Sequence, residues 1–409
     1  MRLRHLALAH FRRFGALAHE FAPGPTVVWG DNGAGKSNLI EAAYLLATTR
    51  SPYTSSERDL ISWNCPHRPA FARTIGVCEG ARHNATIELR LVEPDTRGPA
   101  IDSDPTGDSY HPSSVRRRAI IDGRPRAIGD VLGNLIAVHF SPEGVDLVAG
   151  ASEGRRRFLD IALAQVDRAY VRALRRYQRA IVQRNAMLRR LREEPSLGAA
   201  LLDPWDAEAA DSGAVVVACR RRAIARLNTA LATLDTDSPG SAPIRAEYMP
   251  SVDLRSIDEP EGPYLKGWDD ADPVIGAIRV LATNALRATR SRDRAAATTL
   301  VGPHRDDFAV RAGRVDQRTY GSRGQQRTAA LALKVAEARF MTEVAGEPPV
   351  LLLDDVMSEL DPGRRAFVES LACTVEQSIV TGTESGVFSS RFRASASTFC
   401  LRDGRLEPA

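Results

Sequence analysis

The stretch GDNGAGKSN, residues 30–38, has the residue types and spacing of a phosphate cradle. Gly30, Gly33 and Gly35 lack a Cβ, so the backbone can turn successive N–H groups toward phosphate oxygens; Asp31, Asn32 and Ala34 complete the loop. Lys36 is expected to set a compact positive charge between the β and γ phosphates of ATP. Ser37 is expected to place a hydroxyl on Mg2+ at a helix N-terminus that favours anions. Far along the chain, PPVLLLDDVMSELD (348–361) runs an apolar segment into two carboxylates. Asp354 suits the Mg2+ shell, and Asp355 suits orienting or deprotonating an attacking water. A third stretch, YGSRGQQRTAALALKVAEARF (320–340), sets Ser322 and the N–H groups near Gly324 at the start of a long helix. That arrangement can bind an anion or simply cap the helix.

These groups need elements to hold them. TVVW before the cradle reads as a short buried strand, and SNLIEAAYLLA (37–47) after it as a helix with Leu39, Ala42, Ala43 and Leu46 at helical spacing. VLLL before Asp354 reads as a buried strand delivering acids to its C-terminal edge. About 320 residues separate Lys36 from Asp354. A compact nucleotide fold needs no such gap, so the spacing predicts an insertion. Of 55 basic residues only Lys36, Lys266 and Lys334 are lysines, and a compact ammonium at a phosphate is a chemical reason for Lys36 to escape the arginine bias.

With 409 residues, 43% hydrophobic and 26% charged, the chain is long enough for two globular domains with real cores. No stretch approaches the roughly 18 to 20 apolar residues of a membrane span. The basic N-terminus MRLRHLALAHFRRFG reads as a strand rather than a signal peptide. Cysteines at 65, 78, 219, 373 and 400 have neither the count nor the spacing of a disulfide framework or zinc site, which fits a reducing, cytoplasmic setting. The polar segment 93–114, rich in Pro, Gly, Ser and Asp, reads as a disordered surface loop.

Residues 155–192 carry twelve arginines against Asp160 and Asp167, a local net charge of +10. Val166, Tyr170, Ala173, Tyr177, Ile181, Leu188 and Leu191 recur at three-to-four spacing, which predicts long helices with one apolar seam and a basic face. Arg155, Arg156, Arg157, Arg172 and Arg176 are the candidates for DNA phosphate contact, with little base readout; CRRRAIAR (219–226) is a further basic cluster.

Together the cradle, a Ser-x-Gly-Gln signature, the acidic strand and SELD (358–361) resemble the ATP-binding-cassette ATPase head. Within that superfamily the chain resembles the RecF family of bacterial recombination mediators, through LALAHFRRF (6–14), GDNGAGKSNLIEA (30–42), FSPEGVDLVAGASEGRRRFLD (140–160), YQRAIVQRNAMLR (177–189), GPHRDDF (302–308), GSRGQQRTAALALK (321–334) and LLLDDVMSELD (351–361). The resemblance implies an α/β fold: a discontinuous ATPase lobe, residues 1–145 plus 300–409, enclosing a mainly helical, Arg-rich lobe at 146–299. It implies Ser322, Gly324 and Gln325 as further nucleotide contacts, made across an ATP-dependent homodimer because signature and cradle face different ways in one head. It also implies ATP and Mg2+ as cofactors, double-stranded and gapped DNA and RecR- and RecO-like proteins as partners, and work in DNA repair and replication restart at single-strand gaps.

The chain has Asp355 where most cassettes have Glu. One methylene less reach, together with the resemblance, implies slow hydrolysis. Arg323 stands where cassettes commonly have a small residue, and Thr381 or Thr383 where they often place a switch His. A transporter ATPase subunit is disfavoured by the Arg-rich insertion and the signature, a chromosome-structuring clamp by the shortness of the insertion, and an overcoming-lysogenization-type nuclease by the 48 residues that follow Asp361.

Overall fold

The computed structural model describes residues 1–81, 83–94, 115–194, 196–234, 242–258, 264 and 272–409. The chain forms two compact units, one of Met1–Pro142 with Ala345–Ala409 and one of Glu143–Val344. The polar segment expected to be a loop falls mostly at 95–114, outside the described residues.

The discontinuous unit holds two six-stranded sheets. In the first, all neighbours run antiparallel in the order Phe14–Glu20, Arg2–Phe11, Phe71–Glu79, Asn84–Val92, Arg116–Ile121, Arg124–Arg126. The N-terminal segment is thus a strand, with Leu3, Leu6 and Leu8 buried. The second sheet runs Arg405–Pro408, Ser397–Arg402, Gly24–Trp29, Gln377–Gly382, Val350–Leu353, Ala137–Phe140. Its last five strands are parallel, and only the Arg405–Pro408 edge is antiparallel. Strands covered on both faces read as unbroken apolar runs, and VLLL is buried at every position. The helix Lys36–Thr48 touches strands of both sheets and is buried from Leu39 through Thr48, so its apolar residues occupy every side rather than one stripe.

The continuous unit is mainly helical: Ser152–Val166, Arg168–Glu193, Asp203–Ala232, Pro273–Ala296 and Arg323–Ala345, whose last residue falls in the other unit. It also carries a three-stranded antiparallel sheet, Val315–Asp316, Asp307–Ala312, Ile244–Met249. The basic segment is two helices, because the Asp167 carboxylate accepts from the N–H groups of Ala169 and Tyr170 and caps the second. All seven apolar residues of the expected seam are buried, and Tyr177 and Ile181 pack with Ala209, Ala210 and Leu286.

The second boundary falls at residue 344 rather than near 300. Asp307–Ala312 pairs with Ile244–Met249, which holds it in the helical unit. The helix Arg323–Ala345 is fastened to the same unit by Arg226 on Glu343, Arg339 on Thr233, a Tyr264–Phe340 ring contact at 5.4 Å, and Lys334 over the Phe158 ring at 5.2 Å. Periodicity marks this helix but says nothing of which neighbours its faces meet.

Candidate nucleotide-binding site

Strand register sets the site. Val28 lies beside Thr381 and Trp29 beside Gly382, while Val380 lies beside Leu353, so the cradle, Thr381 and the acid pair leave the parallel sheet at one level. Ligands of open α/β sheets sit at that carboxyl edge. The intervening strand Gln377–Gly382 is what brings Lys36 and Asp354 together despite their separation in sequence.

The cradle is shaped for close backbone approach. A Cβ on Gly30 would stand 2.6 Å from the Leu401 carbonyl oxygen, and Gly35, at φ +111°, turns into the helix against the Phe14 ring. Asp31, Asn32, Gly33 and Ser37 are exposed on this rim; Gly30, Gly35 and Lys36 are buried, and Ala34 is half-buried. Lys36 Nζ donates to the carbonyls of Gly30 at 2.6 Å and Asp31 at 2.9 Å, folding over its own loop. Burial pushes the lysine below its ordinary pKa, with the charges of Asp355, Asp354 and Asp31 opposing.

Asp354 is buried at the end of its strand, and its N–H donates to the Phe140 carbonyl at 2.9 Å. Thr381 Oγ1 donates to Asp354 Oδ1 at 2.7 Å and accepts from the Asp355 N–H at 3.0 Å. Tyr53 donates its hydroxyl to Asp354 Oδ2 at 2.5 Å, and His139 Nε2 lies 3.0 Å from the same hydroxyl. Asp355 is half-buried with a left-handed backbone, φ 50°. Burial and then the charge of Asp354 raise its carboxyl pKa, against the pull of Lys36.

Sequence reasoning missed the surrounding polar scaffold. Arg12 grips Glu41, fully buried on the cradle helix, with two bonds of 2.7 Å, and Ser51 bonds the same carboxylate. Arg13 donates to the Gly33 carbonyl. His139, a polar residue inside the buried AVHF strand, was a readable signal; Tyr53 offered none. Thr381, which with Thr383 was a candidate for the switch-histidine position, bonds the Asp354 carboxylate and the Asp355 backbone N–H.

Ser322, Gly324 and Gln325 are exposed. The Ser322 N–H donates to Gln325 Oε1 at 2.8 Å and the Gln325 N–H to Ser322 Oγ at 3.2 Å, a reciprocal cap on the helix that begins at Arg323.

The basic candidates divide. Arg155, expected as a DNA contact, is 1% exposed and clamps Asp307 with bonds of 2.7 and 2.8 Å. Arg156 is half-buried on the Asp306 carbonyl, Arg157 is half-buried, and Arg176 is exposed but paired with Glu208 at 2.8 Å. Arg184 is fully buried between Asp206 and Asp293. In the 219–226 cluster, Arg220 binds Asp160, Arg222 binds Asp272, Arg226 binds Glu343 and Arg221 donates to backbone carbonyls. An acid or a carbonyl inside the fold uses each of them. By contrast Arg168, Arg172, Arg175 and Arg179 are all exposed, and none has a hydrogen bond or ion pair among the described residues. Their 4-3-4 spacing places all four on one face of the helix.

Among the described residues no helix is long and apolar enough to cross a membrane.

Comparison with known proteins places the whole chain in one family. The family model described as RecF/RecN/SMC N terminal domain matches residues 2–400. DNA replication and repair protein RecF of Chloroflexus aggregans is 38% identical over 415 residues, covering 99% of each chain. The protein of that name from Roseiflexus castenholzii is 37% identical over 421 residues, covering both chains fully at 100%. The solved structure of the recombination mediator protein RecF-ATPrS in the RecFOR pathway superposes with a TM-score of 0.82 at 27% identity, covering 100% of this chain and 98% of that one. The expected cassette-type P-loop head with an inserted helical unit is therefore the fold of this protein. With a family model spanning nearly its whole length and full-length relatives above one-third identity, the chain belongs to the RecF family.

Proposed function

We propose that this protein is an ATP-controlled DNA-binding mediator of recombination, acting in DNA repair and replication restart at single-strand gaps and hydrolysing ATP slowly. The observation that carries the reading is the meeting, at one sheet edge, of a glycine loop whose Lys36 folds onto its own carbonyls and of Asp354 and Asp355, both bonded by Thr381. The donors present fit both cofactors: cradle N–H groups and Lys36 for ATP phosphates, and the hard oxygens of Ser37 and Asp354 for Mg2+. Mg2+ supplies neutralisation of charge on the phosphate oxygens when bound.

The chain's own residues do the rest. Lys36 exchanges two carbonyl partners for phosphate oxygens, so its charge needs no new desolvation. Asp355, held by Thr381 through its own N–H, orients a water and accepts its proton; its short side chain limits how well it reaches, which favours a slow switch over a motor. Ser322, with Gly324 and Gln325, serves the nucleotide of a second copy of the chain, giving an ATP-dependent homodimer with two composite sites. On this reading the ATPase lobe works as the discontinuous unit plus the signature region. The line Arg168, Arg172, Arg175 and Arg179 is the DNA-facing surface, with Arg156, Arg157 and Arg176 as secondary contacts. The eleven helical steps from Arg168 to Arg179 span about 16 Å, alongside about five phosphates of one duplex strand. RecR- and RecO-like proteins are the partners and the cytoplasm the setting.

The test is ATP turnover and binding to gapped, blunt duplex and single-stranded DNA with ATP, ADP or no nucleotide, across a salt series. DNA should raise turnover, ATP should tighten DNA binding, and changing the four arginines to Gln should flatten the salt dependence for duplex by about 3.6 in log–log slope. Turnover indifferent to DNA would favour a transporter-type ATPase subunit and overturn the mediator reading.

A further inference from the structure

Asp354 is the buried acid that suits the Mg2+ shell, and each of its oxygens accepts from a neutral hydroxyl: Oδ1 from Thr381 and Oδ2 from Tyr53. The two hydroxyls have different backing. Thr381 is fully buried inside the parallel sheet and is tied to the Asp355 backbone, so it cannot leave without opening the strand. Tyr53 is 39% exposed and sits on an irregular segment at the rim. That segment is anchored at its root, where Ser51 Oγ accepts from the Tyr53 and Thr54 N–H groups and bonds Glu41, which Arg12 grips, and Thr54 Oγ1 donates onward to Asp59. Its tip carries the phenol to Asp354 and His139.

Resting on the nucleotide-site reading above, we infer that Tyr53 and Thr381 are positioning residues of opposite effect on cation binding at Asp354. Thr381 fixes the carboxylate's rotamer, while Tyr53 occupies the oxygen that the cation and its water shell need. Were Asp354 to hold Mg2+, the Tyr53 phenol would have to release the carboxylate, with His139 Nε2, 3.0 Å from the hydroxyl, as its other partner. A hydroxyl bonded to an anionic acceptor is among the stronger neutral–charged contacts, so exchanging it weakens cation binding about ten-fold. Tyr53 therefore raises the Mg2+ concentration at which the nucleotide site closes.

The experiment measures binding of a fluorescent ADP analogue to the full-length protein in excess MgCl2 and in excess EDTA, and reads the ratio of the two Kd values. Tyr53→Phe keeps the ring and removes only the hydroxyl; the ratio should rise about ten-fold, with the EDTA value unchanged. Thr381→Val should lower the ratio, and Thr381→Ser, which restores the hydroxyl, should return it toward the parental value. A merely structural role for Tyr53 would shift thermal stability and leave the ratio alone. A Tyr53→Phe ratio equal to or below the parental one overturns the inference, even if Thr381→Val fails to fold. If the parental protein binds no nucleotide in either condition, the nucleotide-site reading fails instead.

Discussion

Replacing Arg155 with Ala separates a structural arginine from a DNA contact. The guanidinium makes two charge-assisted bonds to Asp307 and a third, of 2.8 Å, to the Gly150 carbonyl, with 2% of its side chain exposed. Removing one partner of a buried pair typically costs about 3–5 kcal/mol because the other charge stays buried and unpaired. Asp307 is 23% exposed and also accepts from the Phe308 N–H, so water can reach it and the lower end, about 3 kcal/mol, applies. For a unit of this size that is a fall in melting midpoint of about 6–12 °C. Burial pushes the Asp307 pKa up, but the Arg155 bonds outweigh it and the net shift is downward from 3.8. A depressed carboxylate contributes stability that is present above its unfolded value and lost as pH falls through the folded one, so the parental and Arg155→Ala midpoints should converge in acid below pH 3.8. Scanning calorimetry across pH, paired with DNA binding across salt, checks both halves. If the midpoint of Arg155→Ala stays within a degree of the parental value while the salt slope drops by about one, the side chain contacts phosphate and the reasoning is refuted.

Three further outcomes follow from the site. Lys36→Ala should abolish ATP binding, measured by equilibrium titration, because among the described residues no other cation bonds the cradle carbonyls of Gly30 and Asp31. Asp355→Asn should retain ATP affinity and slow single-turnover hydrolysis at least ten-fold, since the amide keeps the shape but is a poor base. Lys36→Ala and Ser322→Arg should each be inactive alone, yet an equal mixture should recover about a quarter of parental turnover, because about half the dimers are mixed and each rebuilds one of two sites.

The ATP half of the site was legible because its chemistry is local. GDNGAGKS carries its own loop, charge and helix start, and VLLLDD carries both a buried strand and its acids. The apolar seam from Val166 to Leu191 was legible for the same reason, since a helix writes its buried face into a few turns of sequence. What failed was pairing at long range. Nothing in RRRFLD distinguishes Arg155, which meets Asp307 some 150 residues later, from Arg172, which meets no described residue. Burial rather than charge density separates them, and burial depends on tertiary neighbours. Tyr53 and the contacts of Thr381 were opaque in the same way: each bonds Asp354, from about 300 residues before it and from a neighbouring strand after it.

The order of strands also bears on how the chain is made. Gly24–Trp29 finds both its neighbours, Gln377–Gly382 and Ser397–Arg402, only in the last tenth of the protein. At about 5–20 residues per second on the ribosome, the roughly 200 residues of the continuous unit take about 10–40 s to emerge. Throughout that interval the TVVW strand has no partner in its final sheet, while the helical unit, contiguous in sequence, can complete its own contacts. Nucleotide cannot be captured by the nascent chain, and a transcript cut short before residue 377 leaves an apolar strand with both edges bare, a substrate for chaperones and proteases rather than a partly working enzyme.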